Sequence, residues 1–212
     1  MLKFLIFSGD GVLRRNLKCG KNIQFDLSIF DSPKIINNVC YCPWNKIYKI
    51  DLFKEIKFPI DKKFEDLSTI IKVLSKANKV SKLNKYLYNY RINENGETCT
   101  VNKRDLDIYC IIEDVVLFPK KNENYNKIES EIELLSILQL YKGILSAFKV
   151  CSIKETLNYI DKLFIFLDTN FINWRKNEVF NNEKYITKFI KRNKIFYKFF
   201  AILKITMRRI SK

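Results

Sequence analysis

The chain has 212 residues, of which 47% are hydrophobic, and a formal charge of +16 from 39 Lys and Arg against 23 Asp and Glu. That is enough apolar material for one large domain or two small ones, and five Gly and four Pro leave no low-complexity linker. With no His, the chain has no imidazole acid–base catalyst, no Ser-His-Asp or Cys-His nucleophile and no His metal ligand, so any acid–base step falls to Asp, Glu, Tyr, Lys or Cys.

The basic balance points to an anionic partner: nucleic acid, anionic lipid or a phosphate-bearing substrate. A chain this rich in Lys, Asn and Ile is also what AT-rich coding produces, and that reading of the charge stays open. The six cysteines stand at 19, 40, 42, 99, 110 and 151. They form no C-x-x-C pair, and Cys40-Tyr41-Cys42 is not zinc spacing, so reduced, mostly buried thiols of a cytoplasmic protein are expected. No apolar run reaches the ~18 residues of a membrane span. The opening MLKFLIFSGDG has an apolar core of four residues after Lys3 and no small-residue cleavage site, and reads as a strand.

In chain order, residues 2 to 8 predict a buried strand entering the turn Ser8-Gly9-Asp10-Gly11. Residues 16 to 42 have no strong period. Trp44 to Phe53 predicts a short helix after Pro43. Leu67, Ile70, Ile71, Leu74 and Ala77 predict an amphipathic helix beginning near Glu65. Lys85 to Ile92 alternates Tyr86, Tyr88 and Tyr90 with Leu87, Asn89 and Arg91, which predicts a strand ending in the turn Asn93 to Gly96. From about residue 104 the signals are helical. Residues 128 to 149 carry Ile132, Leu135, Leu138, Tyr141, Leu145 and Phe148 on a wide apolar face. Ser152 and Glu155 are spaced as a capping box for a helix through Leu157, Ile160, Phe164 and Leu167. A last helix covers about 184 to 210. The expected organisation is an α/β part over residues 1 to 104, then helical hairpins over 105 to 212.

Glu65-Asp66 is the first candidate for chemistry. Acids in the first turn of a helix accept backbone N–H bonds and suit the positive end of the dipole, which is a structural role. The same geometry holds an ionised carboxylate ready to act as a base. The helix signal alone leaves both open.

The surrounding order says more: Pro43-Trp44-Asn45-Lys46-Ile47-Tyr48, then Phe58-Pro59, then Phe64-Glu65-Asp66-Leu67, then Tyr86 to Arg91. Over residues 43 to 92 this succession resembles the second half of family 2 glycosyltransferases, the bacterial GT-A type enzymes of surface-polysaccharide synthesis. Asn170-Phe171-Ile172-Asn173-Trp174-Arg175-Lys176-Asn177 resembles a segment in the helical tails of similar transferases. The resemblance implies a partial GT-A-like (Rossmann-like) domain followed by a helical extension. It also implies an inverting transferase that moves a sugar from a nucleotide-sugar donor to a saccharide or lipid-linked acceptor.

Asp66 then matches the catalytic base, and Glu65 orients the helix mouth or helps bind acceptor. Trp44, Asn45 and Lys46 lie near the acceptor, and Arg91 approaches the pyrophosphate. Core packing for Trp44 and a solvated edge charge for Arg91 remain the structural alternatives. The resemblance also implies a divalent cation, Mg or Mn, but the D-x-D that would hold it is missing: Asp10 is the only acid in the first 25 residues and reads as a turn residue. The donor-binding strands are missing with it, so the expectation is an acceptor-side half, truncated or completed by a second chain. A non-catalytic membrane-associated remnant or partner subunit is the alternative.

The tail from Lys184 to Lys212 holds ten Lys or Arg, no acid, and interleaved Phe, Ile and Leu. That pattern suits a helix in an anionic membrane interface, hence a peripheral cytoplasmic protein at the inner face of the plasma membrane. A core-docked helix in a Lys-rich chain is the plainer reading. No nucleic-acid partner is expected, because no helix-turn-helix, zinc-finger or RNA-binding signature accompanies the charge.

Overall fold

The computed structural model describes residues 2–7, 13–17, 26–91, 96, 100–181 and 184–210; the side chains of 2–7, 13–17, 84–86, 89–91, 185 and 186 lie outside that description. The predicted turns at Ser8 to Gly11 and Asn93 to Gly96 therefore fall outside the described residues, apart from Gly96. Among the described residues three strands are present, β1 (Leu2–Phe7), β2 (Leu13–Leu17) and β3 (Leu83–Arg91), in the order β2-β1-β3. β1 runs antiparallel to β2 and parallel to β3. The helices are α1 (Ile35–Asn38), α2 (Glu65–Lys76), α3 (Ile108–Leu117), α4 (Glu129–Val150), α5 (Ile153–Asn170), α6 (Tyr185–Arg192) and α7 (Lys194–Ile210).

The chain is mostly helical, and the α/β, GT-A-like (Rossmann-like) expectation is overturned. A Rossmann-like domain needs several near-continuous apolar strands buried on both faces. Among the described side chains the buried core falls mainly on helices, with Ile29 and Ile56 added from loops. β3 alternates Tyr86, Tyr88 and Tyr90 with Leu87, Asn89 and Arg91, and Leu87 is exposed.

The chain forms two compact units, Met1–Thr100 with Ile111–Ile132, and Val101–Cys110 with Glu133–Lys212. In the first, Leu67, Ile70, Ile71 and Leu74 of α2 are buried as their spacing predicts, together with Ser68, Thr69 and Ser75. The three hydroxyls are satisfied: Ser68 Oγ donates to Asp114 Oδ2 at 2.9 Å, Thr69 Oγ1 to the Glu65 carbonyl at 2.8 Å, and Ser75 Oγ to the Lys72 carbonyl at 2.8 Å. Residues 44 to 53 do not make one helix. They make two single turns, Pro43–Asn45 and Ile50–Phe53, with extended backbone at Lys46 and Lys49.

In the second unit, α5 opens at the predicted capping box: Glu155 N donates to Ser152 Oγ at 3.2 Å and Ser152 N to Glu155 Oε2 at 2.8 Å. On α4, Ile132, Leu135, Tyr141 and Phe148 are buried, but Leu138 and Leu145 are 38% and 51% exposed. One heptad apart, they share the solvent side, while Leu140 and Ile144 fill the core. α7 packs along α5 and against α6. The expected single helix from 184 to 210 breaks at Asn193. Its Oδ1 accepts from Ile195 N at 3.1 Å and Phe196 N at 3.3 Å, starting α7 as a new helix.

Cysteine usage also differs from the expectation of reduced, buried thiols. Cys40 and Cys42 form a disulfide with Cα atoms 5.5 Å apart. Cys151 is a buried thiol and Cys110 an exposed one, while Cys19 and Cys99 lie outside the described residues.

Candidate functional site

The mouth of α2 is built by a strained approach. Phe64, the residue before the helix, has φ 68° and ψ 23°, and Asp61 has φ 54°. A bulky side chain in the left-handed region costs on the order of 1–2 kcal/mol. Lys63 anchors the loop: it is buried, its Nζ donates to the Thr100 carbonyl at 2.9 Å, and it lies 5.7 Å from the Phe64 ring centroid. Backbone strain of this kind clusters at functional sites.

This approach sets Glu65 and Asp66 in the first turn of α2. Asp66 is half-buried, and its Oδ1 accepts from Leu67 N at 2.8 Å. Burial pushes its carboxyl above the usual Asp range, and the neighbouring Glu65 charge adds to the rise. The Leu67 N–H bond and the Lys46 ammonium oppose it without cancelling it. The helix mouth alone would hold a carboxylate firmly ionised; desolvation wins here and makes Asp66 a stronger base than a surface Asp.

Tyr48 is the neighbour that the sequence pattern left without a role. Its ring meets Phe53 edge-on at 5.3 Å, and its hydroxyl is buried with no hydrogen-bond partner. Burial holds the phenol well above its ordinary value, and the Asp66 charge pushes it further, so it stays protonated. Tyr48 is thus a neutral donor within the field of Asp66. The only signal for it was its place in the Asn45-Lys46-Ile47-Tyr48 run.

Lys46 lies within the same field but is held by its own loop. Its Nζ donates to the Cys42 carbonyl at 2.8 Å, to Asn45 Oδ1 at 2.7 Å and to the Cys40 carbonyl. Three acceptors occupy the three ammonium protons. Asn45 is fully buried and its Nδ2 has no partner. Trp44 is half-buried and stacks on Tyr88 of β3 with ring centroids 4.4 Å apart, so one indole face is covered. Asp66, Glu65, Lys46 and Tyr48 therefore gather in one electrostatic neighbourhood, which Asn45 joins through its bond to Lys46. Arg91 ends β3, and its side chain lies outside the described set.

A cavity of about 300 Å³ adjoins this neighbourhood and shares Lys46 and Tyr48 with it. Val73 and Leu74 line it with apolar surface, and Lys49, Lys76 and Lys79 add cationic groups. Lys76 pairs with Glu55 and Lys79 with Asp26. Among the described residues no group of three or more Cys, Asp or Glu is placed to hold a metal ion.

Trp174 belongs to a different environment. It is fully buried, its Nε1 donates to Asp168 Oδ1 at 2.8 Å, and the Arg175 guanidinium lies 4.5 Å from its ring centroid. Asn177 Nδ2 donates to Glu133 Oε1 at 2.6 Å. Within the segment from 170 to 177, Phe171 and Trp174 are buried in the second unit while Ile172 is 95% exposed. No family model, no curated protein and no solved structure matches the chain.

Proposed function

We propose that the chain serves sugar transfer in cell-surface polysaccharide synthesis, passing a sugar with inversion from a nucleotide-sugar donor to a saccharide or lipid-linked acceptor, with Asp66 as the base. The observation that carries this reading is the raised proton affinity of Asp66 beside the unpartnered Tyr48 hydroxyl, at the end of a strained loop. The proposal rests on these side chains and on the residue order around them, not on the fold.

In the proposed step the acceptor hydroxyl hands its proton to Asp66 while its oxygen attacks the anomeric carbon. The bond from that carbon to the diphosphate breaks, and its electron pair leaves on the phosphate. Tyr48 stays a protonated neighbour of Asp66, and the uncovered part of half-buried Trp44 borders the sugar. Glu65 sustains the basicity of Asp66 through like charge. No step is routed through a divalent cation.

The opposing reading is a non-catalytic partner subunit, favoured by the Lys46 ammonium being held by the Cys40 and Cys42 carbonyls and Asn45 Oδ1. Turnover decides between them. The purified chain is incubated with UDP-, GDP- and dTDP-sugars and a bacterial glycolipid extract, and release of nucleoside diphosphate is followed. The expected result is release that Asp66→Asn lowers by a factor on the order of 10² or more while circular dichroism is unchanged. Release at the same rate from Asp66→Asn would remove Asp66 as base, and no release with any donor supports the subunit reading.

A further inference from the structure

We propose that the outer face of α7, continued by Phe189 of α6, docks in the plane of a bilayer surface that carries anionic lipid. The argument is independent of the sugar-transfer reading. α7 buries Tyr197, Ala201 and Ile205, which recur every four residues on one side. That side is already partnered: Lys194 and Lys198 pair with Asp161, and Tyr197 meets Phe148 and Phe164 edge-on or tilted.

The opposite side is apolar too. Ile195, Phe199, Leu203 and Ile210 follow helical spacing on it and are all exposed, Phe199 at 63% and Ile210 at 80%, with Phe196 and Met207 beside them. Phe189 is also exposed, and its ring lies 4.9 Å from that of Phe196, so the patch carries over the break at Asn193. An ordinary surface helix is polar there, and a contiguous exposed apolar stripe marks an interaction face.

Charge selects the occupant. Residues 184 to 212 contain ten Lys or Arg and no acid. At 100° per residue, exposed Arg209 borders one edge of the stripe and exposed Lys204 the other. A second copy of this face would bring cation against cation, and a two-fold interface needs a self-complementary surface. An anionic headgroup layer answers the flanking cations while the acyl boundary takes Phe199, Leu203 and Ile210. The seventeen residues of α7 rise to about 25 Å at 1.5 Å each. No described helix is long and apolar enough to cross a membrane, so this one lies on the surface.

The test uses the full chain and vesicles of phosphatidylcholine alone or mixed with phosphatidylglycerol. The chain is expected to co-sediment with the mixed vesicles and to be released by salt. Phe199→Glu with Leu203→Glu is expected to weaken binding at least about tenfold with an unchanged melting temperature, since both side chains face solvent. Phe199→Trp reads insertion directly: its emission shifts to the blue and is quenched by bromine-labelled lipid. Three outcomes overturn the proposal: no sedimentation with mixed vesicles, binding unchanged by the double glutamate variant, or a solution dimer that the same variant dissolves.

Discussion

Replacing Gly143 by Ala should destabilise the second unit, although Ala is the better helix former. Gly143 lies inside α4, where Gly→Ala is ordinarily favourable by about 1 kcal/mol. A Cβ at this position would lie 2.1 Å from Tyr159 Oη, 2.8 Å from Tyr159 Cζ and 2.8 Å from Ile108 Cγ2. Tyr159 cannot simply swing away: it is buried, its hydroxyl donates to the Leu140 carbonyl at 3.2 Å, and its ring meets Tyr109 edge-on at 6.4 Å. Overpacking of this kind costs about 1–3 kcal/mol, and a displaced buried hydroxyl adds about 1–3 kcal/mol. Against the propensity gain, the net loss is about 1–5 kcal/mol. Urea unfolding of the single variants and of Gly143→Ala with Tyr159→Phe closes a double-mutant cycle. Removing the hydroxyl deletes the 2.1 Å contact, so the double variant should recover part of the loss. A Gly143→Ala protein as stable as the parent would refute the close approach of α5 to α4 on which this reasoning rests.

Asp66→Asn should keep or raise the melting temperature at pH 8, because the folded state holds the Asp66 proton more tightly than the unfolded chain does. The ionised carboxylate therefore opposes folding at high pH, and that cost fades as the pH falls through its raised range. Thermal unfolding at pH 8 and pH 5 should show the variant's advantage shrinking at the lower pH; an equal deficit at both would contradict this. Glu155 titrates the other way. Its hydrogen bond from Lys103 and those at Ser152 hold its carboxyl at about 2 against an ordinary 4.5. Its contribution is present above about 4.5 and is lost as the pH falls toward 2, so Glu155→Gln should flatten the acid limb of the stability profile.

Periodicity was a sound guide where one side of a helix decides burial. Leu67, Ile70 and Ile71 on α2 and the Ser152–Glu155 box of α5 stand where their spacing puts them, because local backbone geometry settles both. Leu138 and Leu145 were misplaced because α4 buries an arc whose edge its neighbours choose. The break at Asn193 was missed because an apolar pattern runs through it while the Asn side chain caps the next helix. The candidate site divides along the same line. Glu65-Asp66 at a helix mouth was legible, since acids in a first turn have a local reason to be there. The raised basicity of Asp66 and the unpartnered Tyr48 hydroxyl were not, because each depends on burial in the folded chain, and the capture of Lys46 by the Cys40–Cys42 loop was not, because it depends on a loop conformation that carries no periodic signal.

What the amino-acid sequence by itself determined was the list of chemistry to hand: no imidazole, a strongly basic tail, an acidic helix mouth and the helical segments of the second half. Only the tertiary structure decided that the chain is mostly helical rather than Rossmann-like, that Asp66 gains protons rather than losing them, and that the apolar residues of the last helix divide into a buried side and an exposed one. The physical reason is common to all three. Composition and spacing specify what a surface is made of, whereas desolvation and partnering depend on which surface comes to cover it.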